Sequence, residues 1–180
     1  MAAARSFAEF GFDATTMEGI AATAGTSIGS VYQFFPNKIA VFREVARRAI
    51  EASGQTFSTL MLPGTEQPWH ELLERACDLY FELHHRDVAM QAVIRNFELY
   101  REFEVEDAEQ MDGFIEIVGA LIGTWAPELT PAHATRVART VVYTLGMSFL
   151  LIARQPEAAG AAMLEETKLM LRRYLEGYTA

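Results

Sequence analysis

Apolar residues along this chain recur at spacings of three and four, and no stretch alternates apolar with polar as a half-buried strand would. Read with its punctuation, that spacing predicts an all-α fold of about nine helices. A short helix over about Ala2–Phe10 stops at Gly11, a natural left-handed terminus. Thr15-Thr16-Met17-Glu18 carries the Thr-x-x-Glu spacing of a capping box and opens a second helix, which Gly25 ends after Ala24. Thr26 or Ser27 caps a third, reaching about Phe34. Pro36 interrupts, and Asn37 opens a fourth that runs past Ile50 towards Ser53. The looser stretch Leu62–Pro68 precedes five longer helices: about Trp69–His85, Asp87–Phe103, Glu106–Trp125, Thr130–Arg154 and Pro156–Glu176.

Composition narrows the class. With 180 residues, 51% hydrophobic and 22% charged, the chain is not disordered. The lone cysteine, Cys77, excludes a disulfide framework and a cysteine-based zinc site. The N-terminal residues lack the pattern of a secretory signal, and the apolar run Thr140–Ala153 is shorter than the roughly 20 residues that span a membrane. A cytoplasmic protein with no membrane partner is expected. The net charge of −9 is uneven: residues 1–52 hold five bases and five acids, so the whole excess lies beyond them. An acidic chain argues against nucleic acid, but a neutral N-terminal module leaves that question open.

Two short helices joined at Gly25, with a third before them, describe a helix-turn-helix. In the third helix Ile28, Val31 and Phe34 or Phe35 are spaced to pack inward. Thr26, Ser27, Gly29, Ser30, Tyr32 and Gln33 make an outer face of hydroxyls, a glycine and an amide, without a carboxylate. Hydroxyls donate to phosphate, and an amide can read adenine in a bidentate way. Lys38 adds a cation beside the start of the fourth helix. The competing interpretation is a solvent-facing connector.

The run Gly11-Phe12-Asp13-Ala14-Thr15-Thr16, followed by Ala24-Gly25-Thr26-Ser27, Gly29-Ser30-Val31-Tyr32 and Phe35-Pro36-Asn37-Lys38, closely resembles the DNA-binding domain of TetR/AcrR-family transcriptional regulators. The resemblance covers about a quarter of the chain. It implies a DNA-binding domain over residues 1–45 and a helical ligand-binding and dimerisation domain over 46–180. It also implies a recognition helix with Ser27, Gly29, Ser30 and Gln33 nearest the bases, and Thr26 among the DNA-binding residues. Thr16, Tyr32 and Lys38 would meet phosphate, and Phe7, Phe12, Ile20, Ala21, Val31, Phe35 and Phe42 would form the module's core. Family members carry a basic arm and an apolar pair before the position of Ala2, so either a start upstream of Met1, the favoured expectation, or fewer phosphate contacts and a weak first helix is implied.

The resemblance further implies a homodimer on a pseudo-palindromic operator, acting as a repressor that a small hydrophobic effector releases. Apolar rows suit both roles. Val137, Val141, Leu145 and Phe149, with Leu164, Leu171 and Leu175, are assigned to the dimer interface, although either face of these two helices could serve. Phe81, Met90, Ile94, Phe97, Tyr100, Phe114, Leu121, Trp125, Tyr143 and Met147 are assigned to an effector pocket, though ordinary core packing explains most of them. Arg95 is placed to pair an acidic effector or a neighbouring carboxylate, Glu98 or Glu102. One rival is a di-iron helix bundle, from the single Glu82-x-x-His85 pair. A second such pair is missing, so no catalytic residue, metal or cofactor is assigned. The other rival is a helix-turn-helix used only for protein association.

Overall fold

The structure, a computed structural model, describes residues 1–60, 68–101 and 108–179. Among these residues there are ten helices and no strand: α1 Ala2–Ala14, α2 Met17–Ala24, α3 Ile28–Phe34, α4 Lys38–Leu60, α5 Trp69–Arg86, α6 Val88–Arg95, α7 Phe97–Arg101, α8 Ala108–Trp125, α9 Pro131–Ile152 and α10 Glu157–Glu176. The tenth arises because the helix expected over Asp87–Phe103 breaks at Asn96, which leaves helical geometry (φ −114°, ψ 34°). The termini expected at Phe103 and Glu106, and the loose segment up to Gln67, lie outside the described residues. By contact the chain divides into two compact units, Met1–Gly54 with Leu83–Glu106, and Gln55–Glu82 with Asp107–Ala180.

The first unit is built round two phenylalanines with no exposed surface, Phe7 and Phe42, whose rings meet edge to face at 5.3 Å. Phe12 joins both at 5.8 Å, and Met17, Ile20, Ala21, Val31 and Val41 complete the core from α2, α3 and α4. The residues expected to form this core all belong to it, Phe12 and Phe35 from its edge. Ala92 of α6 is also fully buried there, which local spacing alone did not foretell. Thr15 does not act in a capping box. Its hydroxyl donates to the carbonyls of Gly11 at 2.6 Å and Ser6 at 3.1 Å, inside the end of α1, so the cap of α2 passes to Thr16.

The second unit packs α8, α9 and α10 with the parts of α4 and α5 that belong to it. Thr130 caps α9, accepting from the His133 N–H at 3.3 Å, with Pro131 in the first turn, where its missing donor costs nothing. Val137, Val141, Phe149, Leu164, Leu171 and Leu175 are all buried in this core, and Leu145 packs against it. The assignment to a dimer interface is therefore corrected for the six buried residues, which a single chain already covers; Leu145 is covered only in part. The apolar side chains left in solvent lie elsewhere on the same helices, Tyr143, Met147 and Leu151 on α9 and Met163, Leu169 and Met170 on α10.

Candidate nucleic-acid interface and apolar cavity

The turn between α2 and α3 is set by Gly25, whose φ of 66° and ψ of 32° lie in the left-handed region. The Gly25 N–H bonds the Ala22 carbonyl at 3.1 Å and the Thr26 N–H bonds that of Ala21 at 3.0 Å, which closes α2. A β-carbon at this conformation costs about 1–2 kcal/mol. Ser27 then caps α3: its hydroxyl accepts from the Ser30 N–H at 3.1 Å and lies 2.9 Å from the Ser30 hydroxyl. Thr16 does the same for α2, accepting from the Gly19 N–H at 3.0 Å. Both caps sit at helix starts, where the exposed N–H groups concentrate positive charge.

On α3 only Val31 is buried; Thr26, Ser27, Gly29, Tyr32 and Gln33 are exposed and Ser30 is partly so. The six polar positions expected on an outer face are thus brought to one accessible surface. Of the two phenylalanines expected as alternatives, Phe35 packs inward at the edge of the core and Phe34 points out, while Ile28, expected inward, is exposed.

Lys38 is the main departure at this site. Its ammonium donates to the carbonyls of Phe12 at 2.6 Å, Thr15 at 2.7 Å and Asp13 at 3.2 Å, and stands 4.4 Å from the centre of the Phe12 ring. All three N–H groups are engaged at the C-terminal end of α1, whose carbonyls attract a cation. The expected phosphate contact is corrected to a clamp that fixes α1 against the start of α4. Two of the three arginines further along α4 are held as well, on a shared carboxylate. Arg47 and Arg48 both bond Glu44, at 2.8 Å and 2.6 Å, and hydrogen bonds from Arg47 and then Arg48 pull the Glu44 carboxyl down to about 2.

The second unit holds a partly open apolar cavity of about 90 Å³. Phe114, Leu121 and Trp125 of the expected effector set line it, with Phe57, Trp69 and Tyr80, which that set missed, and with Val141, Leu145, Phe149 and Leu175 from the expected interface set. Burial pushes the Tyr80 phenol up to about 12, and its ring lies 4.2 Å from that of Phe149. The remaining effector assignments are corrected. Phe81 packs on the core of the second unit without lining the cavity. Met90 and Ile94 are buried in the first unit, and Phe97 and Tyr100 stand beside each other there at 6.2 Å. Tyr143 and Met147 are exposed. Arg95 donates to the Ala8 carbonyl of α1 at 3.3 Å, so it is tied to backbone in the first unit and is not among the residues that line this cavity. Among the described residues no three His, Cys, Asp or Glu side chains form a group able to hold a metal, and no helix is long and apolar enough to cross a membrane.

Residues 1–45 match the family model of the tetR family of bacterial regulatory proteins, and residues 68–175 match that of tetracyclin repressor-like C-terminal domains. Over 75 residues, 42% of its length, the chain is 37% identical to an uncharacterized HTH-type transcriptional regulator of Bacillus subtilis, YhgD; the match spans 38% of that protein. A TetR-family transcriptional regulator from Streptomyces coelicolor superposes with a TM-score of 0.68 at 23% identity, over 98% of this chain and 95% of that one. Another from Pectobacterium atrosepticum gives 0.73 at 19% identity, over 99% and 91%. These two likenesses are of fold. The C-terminal family model covers more than half of the sequence and the N-terminal one its helix-turn-helix, so the chain belongs to the TetR family of transcriptional regulators.

Proposed function

We propose that this chain represses transcription as a homodimer that lays α3 of each subunit in the major groove of a pseudo-palindromic operator. The observation that carries this reading is the exposed face of α3, where Ser27, Gly29, Ser30, Tyr32 and Gln33 stand accessible without a carboxylate among them. Gln33 is the base reader, and the hydroxyls of Thr16, Thr26, Ser27 and Tyr32 meet phosphate, which fixes register. Two such helices in successive grooves lie about 34–36 Å apart, so the DNA demands a dimer of fixed spacing.

An apolar effector seated in the cavity lowers the affinity for DNA. At about 90 Å³ the resting cavity is tighter than the roughly 150 Å³ that admits benzene, so occupation moves the side chains round it. An effector that prefers the opened arrangement shifts the population, and only its differential affinity for the two states does so. Linkage makes the effect reciprocal, typically about 5- to 150-fold in each direction.

Fluorescence anisotropy with duplexes from the DNA flanking the protein's own coding region tests the reading. The expected result is one saturable, salt-dependent complex of two subunits per site, with Gln33→Ala relaxing the preference at one base position in each half-site. Uniform weak binding to every duplex, unchanged by Gln33→Ala, would leave no operator and no repressor.

A further inference from the structure

Phe34 is 77% exposed, more than any other large apolar residue among the described residues except Met1. Helix geometry explains why. At about 100° per residue it stands roughly 60° from the buried line of Val31, on the side of Ser30, while Phe35 falls about 40° to the other side and takes the place in the core. The ring therefore stands in solvent one turn beyond Ser30 and about 100° round the accessible surface of α3 from Gln33, where it lines a cleft with Ser30, Met1, Glu44 and Arg48. Hydroxyls and amides elsewhere on that side address phosphates and polar base edges. A phenyl ring can do neither. The apolar feature that a major groove offers is the C5-methyl of thymine, and Phe is among the side chains that contact it.

We propose that Phe34 reads a thymine methyl in each half-site of the operator, which makes it a specificity-determining residue beside Gln33. This rests on the DNA-binding reading above. Replacing a thymine by uracil removes the methyl and leaves every hydrogen-bonding group in place, so the contact can be isolated on the DNA.

The experiment is to enrich binding sites from a random duplex pool with the native chain, then scan each thymine of the enriched site as uracil. The native chain should lose about fourfold in affinity at one symmetric pair of positions, the worth of one methyl removed from water. Phe34→Ser should bind the thymine and uracil duplexes equally, and Phe34→Leu should keep part of the difference. Both variants should melt with the native chain, because the ring is in solvent. A uracil penalty that survives in Phe34→Ser, or no penalty at any thymine, overturns the inference while leaving DNA binding intact. A change in oligomeric state on Phe34→Ser also overturns it, since the ring would then belong to a protein contact. Failure to enrich any sequence overturns the DNA-binding reading and this inference with it.

Discussion

Three carbonyl oxygens converge on the Lys38 ammonium within 3.2 Å, all from the last residues of α1 or just beyond it. Removing the charge leaves those acceptors without it, and hydrogen bonds to charged groups are each worth about 1.5–3 kcal/mol when lost. Since the site is only half-buried, Lys38→Met should cost about 2 kcal/mol, seen as a lower urea midpoint, with the salt dependence of DNA binding unchanged. Native stability with a shallower salt slope would return Lys38 to the phosphates. A second residue acts through pH. Cys77 has no exposed surface, and burial pushes its thiol from the ordinary 9.0 up to about 12. Between those values the unfolded chain sheds a proton that the folded chain keeps, so stability falls as pH rises through that window, by up to about 1.4 kcal/mol per unit. Cys77→Ala should flatten the decline between pH 9 and 11 in denaturation midpoints. An equal decline in both proteins would show that the thiol ionises freely in the folded state.

The helix elements were legible where punctuation is local. Gly25, Ser27, Thr130-Pro131 and Pro156 each mark a boundary that depends on neighbours a few residues away, and the structure places a boundary at each. The break of α1 at Gly11 was legible for the same reason, but the end of α6 and the contact that secures both ends were not, because they define each other across the chain. At Gly11 α1 adopts φ 79° and ψ 173°, a conformation open essentially to glycine alone. The Phe12 N–H released by that break donates to Asn96 Oδ1 at 2.7 Å, while Asn96 Nδ2 donates to Ala92 at 2.7 Å and Phe7 at 3.3 Å. Nothing near Asn96 in sequence announces a partner 84 positions away. Asn96→Ala leaves a part-buried N–H without its acceptor and should cost about 1–3 kcal/mol, and Asn96→Asp, which keeps that acceptor but sets an oxygen against the Ala92 and Phe7 carbonyls, should cost no less. Gly11→Ala, strained at that φ, should cost about 1–3 kcal/mol on its own. Equal melting of Asn96→Ala and the native chain would mean that the clasp adds nothing to the first unit.

At the scale of the whole molecule the ambiguous element is α9, apolar on every side beyond Arg139 and so able to present either row to a core. The choice is made by α8 and α10, which bury Val137, Val141 and Phe149 and leave Tyr143, Met147 and Leu151 half in water. No spacing rule separates the two rows in the sequence, because both repeat at four. The outward row, with Met163, Leu169 and Met170 of α10, leaves an apolar surface in solvent, and this is the surface that we propose the homodimer covers. Covering one Leu or Met side chain contributes about 1.5–3 kcal/mol, so a few such residues from each subunit can offset the cost of association. Met147→Glu with Leu151→Glu puts four carboxylates into a two-fold contact, where each meets low dielectric and like charge. The pair should therefore yield a folded monomer by light scattering, with native helix content and DNA affinity reduced by orders of magnitude. Val141→Glu, on the buried row, should instead unfold the second unit. If the double variant remained a dimer with native DNA affinity, the subunits would meet through another surface, and the fixed spacing of the two α3 helices would have to come from there.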